Sequence, residues 1–155
     1  MFTNDDTKKY TLSRIDPTHL LAAYSRHGFE LDGAEWPSVE HYYQAMKFED
    51  TDYRDQIRNA PHPADATKLG KSKKHGRRKD WDQLKETYMT RGTYIKCRSH
   101  PEVVKALLAT GEMHIMETSQ YDYYWGCGRD TRGHNTYGKV LMNVREQLRT
   151  EHTAD

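Results

Sequence analysis

Cysteine is scarce: only Cys97 and Cys127 occur in 155 residues, without CxxC spacing. That leaves no material for a disulfide framework or a zinc site, and it suits a reducing compartment. Long apolar runs are missing as well, none approaching the ~20 residues that a membrane helix needs. The opening Met1-Phe-Thr-Asn-Asp-Asp has no apolar stretch of the kind a secretion signal carries. A cytoplasmic protein with no membrane partner is expected. Charge of one sign is absent too: 24 basic residues face 23 acidic ones, a formal +1. No global field therefore recruits nucleic acid or an anionic membrane. GxSxG, HExxH, GxxxxGK[ST] and a strand-framed GxGxxG are all missing, which removes hydrolase elbows, zincins, P-loops and dinucleotide folds. No metal and no redox cofactor is expected.

What is present fits one domain. The length suffices for a real core, and 16 of the 17 aromatic residues lie between Tyr10 and Tyr137. Residues 1–18 read as a polar N-terminal segment, 19–149 as a single domain and 150–155 as a polar tail. Phe29-Glu-Leu-Asp-Gly33 alternates and ends at a turn residue, as a hairpin arm does. Ser38 is a suitable N-cap for a helix over Val39–Phe48. Helical segments are further expected over Asp55–Asn59, Pro63–Leu69, Trp81 to Cys97 with Asp80 as cap, Glu102–Ala109 after Pro101, and Lys139–Arg149. Residues 113–118 read as a strand. The fold class is α+β, a helix-rich single domain with one or two small strand pairs.

Two segments carry the material of a site. On the first, Glu40, Gln44 and Lys47 stand at i, i+4 and i+7, hence on one side of a helix, with Tyr43 beside them. An ordinary exposed Glu/Lys pair has the same spacing. The second runs from Gln120 to Gly138 and combines Gly126, Gly128, Gly133 and Gly138 with Asp122, Asp130 and Asn135 and with Tyr123, Tyr124 and Trp125. Aromatic planes beside carboxylates and close-approach glycines suit a flat base attached to a ribose. Between them, Lys68–Lys79 holds seven cations and no acid, which suits either a phosphate or a solvated loop.

These segments closely resemble the NADAR (YbiA-like) family. The matching residues are Phe29-Glu-Leu-Asp-Gly33, Trp36-Pro-Ser-Val-Glu-His-Tyr-Tyr-Gln-Ala-Met-Lys-Phe48, Ala66-Thr-Lys-Leu-Gly70 and Arg78-Lys-Asp-Trp81. Further matches follow at Met89, Glu117 through Asp122, Trp125-Gly-Cys-Gly128, Gly133-His-Asn135, Gly138-Lys-Val-Leu-Met142 and Val144-Arg145. The chain departs from the family at Leu21-Ala-Ala-Tyr24, where members carry a Leu-Ser-Asn-Phe-like stretch. The resemblance implies an N-glycosidase that hydrolyses a C1′–N bond. Its substrate would be a phosphoribosylated pyrimidine of riboflavin biosynthesis or ADP-ribosylated guanine in nucleic acid. A non-catalytic module that binds ADP-ribose or a nucleotide is the alternative.

Such a reaction develops positive charge on the sugar and negative charge on the leaving base. Glu40 and Asp122 are the candidate carboxylates, to stabilise the sugar or activate water. Lys47 offers a second route, by attack on C1′ and a Schiff base after ring opening. Trp81 and Trp125 are expected to stack on the base, Asn135 to orient it, and Arg78 with the basic run to hold a phosphate. Tyr43, Gln44, Gly126 and Gly128 complete the expected binding residues.

Overall fold

The computed structural model describes residues 8–154. It contains two small strand pairs and six helices. Strand β1 (Lys9–Leu12) pairs in parallel with β4 (His114–Glu117), Tyr10 opposite Ile115 and Leu12 opposite Glu117. Strands β2 (Phe29–Leu31) and β3 (Ala34–Trp36) form an antiparallel hairpin with Phe29 opposite Trp36. Asp32 and Gly33 make its turn at φ 55° and 80°, the left-handed pair that two-residue hairpins demand. The N-terminal residues 9–12, expected inside a polar end segment, are thus part of a strand. Four residues with one buried side chain, Leu12, give too short an alternation to read. The first seven residues of that segment lie outside the described residues.

Helix α1 (Val39–Ala45) begins at Ser38, whose hydroxyl accepts from the His41 amide. All seven of its residues are buried, so the exposed Glu/Lys face is excluded. An all-round buried helix is usually apolar; this one carries Glu40, His41 and Gln44 into the core. It also stops short of the expected Phe48. Lys47 lies in the following turn, because Phe48 forms a bridge with Arg77 and Arg78 N donates to Lys47 O at 2.7 Å.

Helix α2 (Thr51–Arg58) starts earlier than its apolar residues suggest, since Asp50 accepts from the amides of Asp52 and Tyr53. Helix α3 (Pro63–Leu69) follows, and α4 (Trp81–Ser99) begins after Asp80. The Asp80 carboxylate makes no cap bond; it pairs with Arg78 instead. Helix α5 is Pro101–Ala109 and α6 is Thr136–Ala154, longer at both ends than its apolar stripe. Leu141, Val144 and Leu148 of α6, Val103 and Leu107 of α5, and Met89 and Trp81 of α4 share one core with Val39 and Tyr42. No described helix is long and apolar enough to cross a membrane. Both cysteines are buried and free. Among the described residues no group of three or more His, Cys, Asp or Glu could hold a metal ion.

Candidate functional site

Glu40 sits at the centre with 0% exposure. Its Oε1 accepts from Arg14 Nη1 at 2.8 Å. Its Oε2 accepts from Gln44 Nε2 and from Thr67 Oγ1, each at 2.7 Å. Since a carboxylate only accepts, the Gln44 amide must present its nitrogen, and the Thr67 hydroxyl donates to Glu40 with Pro63 O a longer second acceptor at 3.1 Å. Thr67 Oγ1 therefore accepts from the Tyr24 hydroxyl, 2.6 Å away. Three of roughly four acceptor positions on Glu40 are filled. Gln44 Oε1 is buried without a partner among the described residues and packs on Gly70, where a Cβ would collide with it.

The Lys47 amine is one turn further along. It donates to Gly70 O at 3.4 Å and lies 5.6 Å from the Tyr43 ring centroid. Burial pushes its pKa down to about 8, against the pull of Glu40; Arg77, Arg14 and Lys71 add to the depression. Arg14 connects both carboxylates, since its Nη2 is 3.8 Å from Asp122 Oδ2. Burial opposes the Arg14 charge, yet Glu40 and Asp122 more than offset that, and its pKa is raised. Asp122 Oδ1 accepts from the amides of Tyr124 and Trp125. Its other oxygen faces Arg14, on a side chain that remains partly exposed.

The structure therefore brings Glu40, Gln44, Lys47 and Asp122 together around Arg14, with Tyr43 alongside. Tyr43 packs between Trp81 and Trp125, at centroid distances of 5.1 and 5.4 Å. Trp81 is 1% exposed and stacks on Tyr88, and Trp125 is 6% exposed and meets Tyr43 and Tyr124 in T-shaped contacts.

Asn135 lies at φ 54°; its Oδ1 accepts from Glu117 N and its Nδ2 donates to Ile115 O, both at 2.8 Å. It ties the aromatic loop to β4. Arg78 is engaged as well, in a two-point pair with Asp80 and a bond to Tyr88, and its pKa is raised, chiefly by Asp80. Gly126 is required by packing: a Cβ there would collide with Glu117 Oε1 and come within 2.8 Å of Asp122 O. Gly128, at φ 73°, receives the Tyr123 ring where a Cβ would stand.

Sequence reasoning missed Arg14, Tyr24, Thr67 and Glu117. Glu117, fully buried, accepts from Arg14 N at 2.6 Å and from Ser119 N and Oγ at 2.7 Å, so it fixes both the Arg14 backbone and the start of the loop. Arg14 gave no signal, standing alone in a polar segment. Thr67 lay within the block Ala66-Thr-Lys-Leu-Gly70, where only the block as a whole was informative.

The chain is similar to known proteins. A family model described as the NADAR domain matches residues 1–149. The protein called N-glycosidase YbiA of Escherichia coli is 39% identical over 122 residues, covering 79% of this chain and 76% of that protein. A riboflavin biosynthesis protein of Vibrio vulnificus is 36% identical over 134 residues, covering 86% of this chain and 36% of its own length. The NMR structure of E. coli YbiA superposes with a TM-score of 0.85 at 32% identity, covering 97% of this chain and 94% of that one.

Proposed function

The chain belongs to the NADAR family, and from that premise we propose that it is an N-glycosidase whose attacking group is the Lys47 amine. The observation that carries this reading is the placement of the Lys47 amine, hydrogen-bonded to Gly70 O and 5.6 Å from the Tyr43 ring centroid on the α1 side that bears Glu40; burial, which lowers its pKa to about 8, supports it. Three of about four acceptor positions on Glu40 are filled, and the remaining one is available to take the proton that the amine sheds.

In the proposed step the Lys47 nitrogen bonds to C1′ and the C1′–N bond breaks. The bonding pair leaves with the base. The proton shed by the amine reaches the base through Glu40, so the step is neutral overall. Opening of the ribose ring gives a Schiff base, and water then releases the sugar and regenerates Lys47. Asp122, its outer oxygen toward Arg14, stabilises the cationic sugar. Lys71 and Arg77, the two loop cations that act on Lys47, suit the substrate phosphate better than Arg78, which is already paired.

The substrate class is a phosphoribosylated pyrimidine of the riboflavin pathway or ADP-ribosylated guanine. The riboflavin name of the Vibrio relative favours the first. A mass-spectrometric hydrolysis assay offers both side by side. Release of ribose phosphate from the pyrimidine, or of ADP-ribose from a modified oligonucleotide, supports the reading and selects the substrate. Hydrolysis of neither, with tight binding of free ADP-ribose, replaces it with a binding module.

A further inference from the structure

Among the described residues three large apolar side chains stand exposed: Ile15 at 48%, Tyr121 at 84% and Tyr123 at 45%. Single exposed apolar residues need no explanation, but these three lie beside two residues of the site in the chain. Ile15 follows Arg14, and Tyr121 and Tyr123 flank Asp122, the two residues that approach each other to 3.8 Å at the site. All three are thus chain neighbours of the residues in that ion pair.

The segment bearing the two tyrosines is firmly held. Ser119 N donates to Glu117 Oε1, Asp122 Oδ1 accepts two amides, and His134 N and Thr136 N donate to Tyr123 O and Tyr124 O at 2.8 and 3.0 Å. Tyr123 lays its ring on Gly128. The Tyr121 ring, by contrast, stays in water on a backbone fixed before and after it. Meanwhile the tryptophans that a base would otherwise meet are buried among other rings.

We infer that Tyr121 is the stacking platform for the planar nitrogen heterocycle carried on C1′, with the ribose directed inward to Lys47 and Glu40. The inference rests on the N-glycosidase reading of the site and adds to it a residue that selects for the leaving group. A tyrosine suits this place because every heterocyclic base has a π-face, and its ring orders at low entropic cost.

Calorimetric titration tests it without turnover, using 5′-GMP and ribose 5-phosphate as probes on the wild type, Tyr121→Ala and Tyr121→Phe. The alanine variant is expected to weaken GMP binding roughly tenfold, as for the loss of one stacked base, and to leave ribose 5-phosphate unchanged. The phenylalanine variant should retain both affinities. An unchanged GMP affinity in Tyr121→Ala overturns the inference, as does an equal loss for both probes. So does a wild type that binds GMP no more tightly than ribose 5-phosphate. Tyr121-dependent GMP binding in a protein that hydrolyses nothing would sink the N-glycosidase reading alone.

Discussion

If Lys47 attacks as the free amine, its depressed pKa decides the rate at neutral pH. An ordinary lysine near 10.5 is deprotonated in only about one molecule in three thousand at pH 7. At a pKa of about 8 the fraction is about one in ten, a gain of roughly 300-fold in competent enzyme. The free-enzyme profile of kcat/KM should therefore rise with pH along a limb whose apparent pKa is about 8, and level off above it. Arg77 is exposed and helps to push Lys47 down. Arg77→Gln should consequently move the limb to higher pH without unfolding the protein. The assay is substrate loss between pH 6 and 10, with circular dichroism to confirm an intact fold at each pH. A flat profile, a limb near 10, or a limb unmoved by Arg77→Gln would refute the assignment of the titrating group.

Further expectations concern stability and the loop. Lys96 is buried, with the Ala22 carbonyl its only hydrogen-bond partner among the described residues, and burial pushes its pKa down to about 8. Against 10.5 in the unfolded chain, this corresponds to roughly 3 kcal/mol at pH 7. Lys96→Met, after the loss of that hydrogen bond, should raise urea-measured stability by about 1–2 kcal/mol; a lower midpoint would contradict it. Between pH ~8 and ~10.5 the unfolded chain binds more protons than the folded one, so wild-type stability should rise with pH across that window. The methionine variant should show less of this rise. Asn135→Ala removes two buried backbone bonds at a positive φ and should cost about 2–4 kcal/mol, while an unaffected melting curve would show that loop and strand hold without it. Gly126→Ala should displace Glu117 or the Asp122 backbone and lower activity at least tenfold by the cost of overpacking; a fully active variant would place the loop elsewhere.

Much of the architecture was legible because its signals are local. Ser38 before an apolar-spaced run marked the start of α1, Pro101 the start of α5, and Asp-Gly the β2–β3 turn. The burial of α1 on all sides was not legible, because Glu40 and Gln44 look like surface residues until Arg14 and Thr67 are brought to them from outside the helix. Helix ends depended on tertiary partners: Phe48 leaves α1 for Arg77, and Asp80 leaves the α4 cap for Arg78. Strand β1 acquires its role only through β4, about a hundred residues later in the chain. Glu40, Gln44 and Lys47 share a side by spacing alone, and the structure gathers them with Asp122 around Arg14. Which aromatics are core and which meet solvent is a property of packing: Trp81 is buried and Tyr121 stands in water, and neither fact is visible in composition.

The most direct test of the covalent N-glycosidase reading is borohydride trapping during turnover of the phosphoribosylamino-pyrimidine, followed by peptide mass mapping. A reduced sugar-phosphate adduct on the peptide containing Lys47, absent from Lys47→Ala, is the predicted result. Hydrolysis at the normal rate with no trapped adduct, or with near-normal activity in Lys47→Ala, would contradict it.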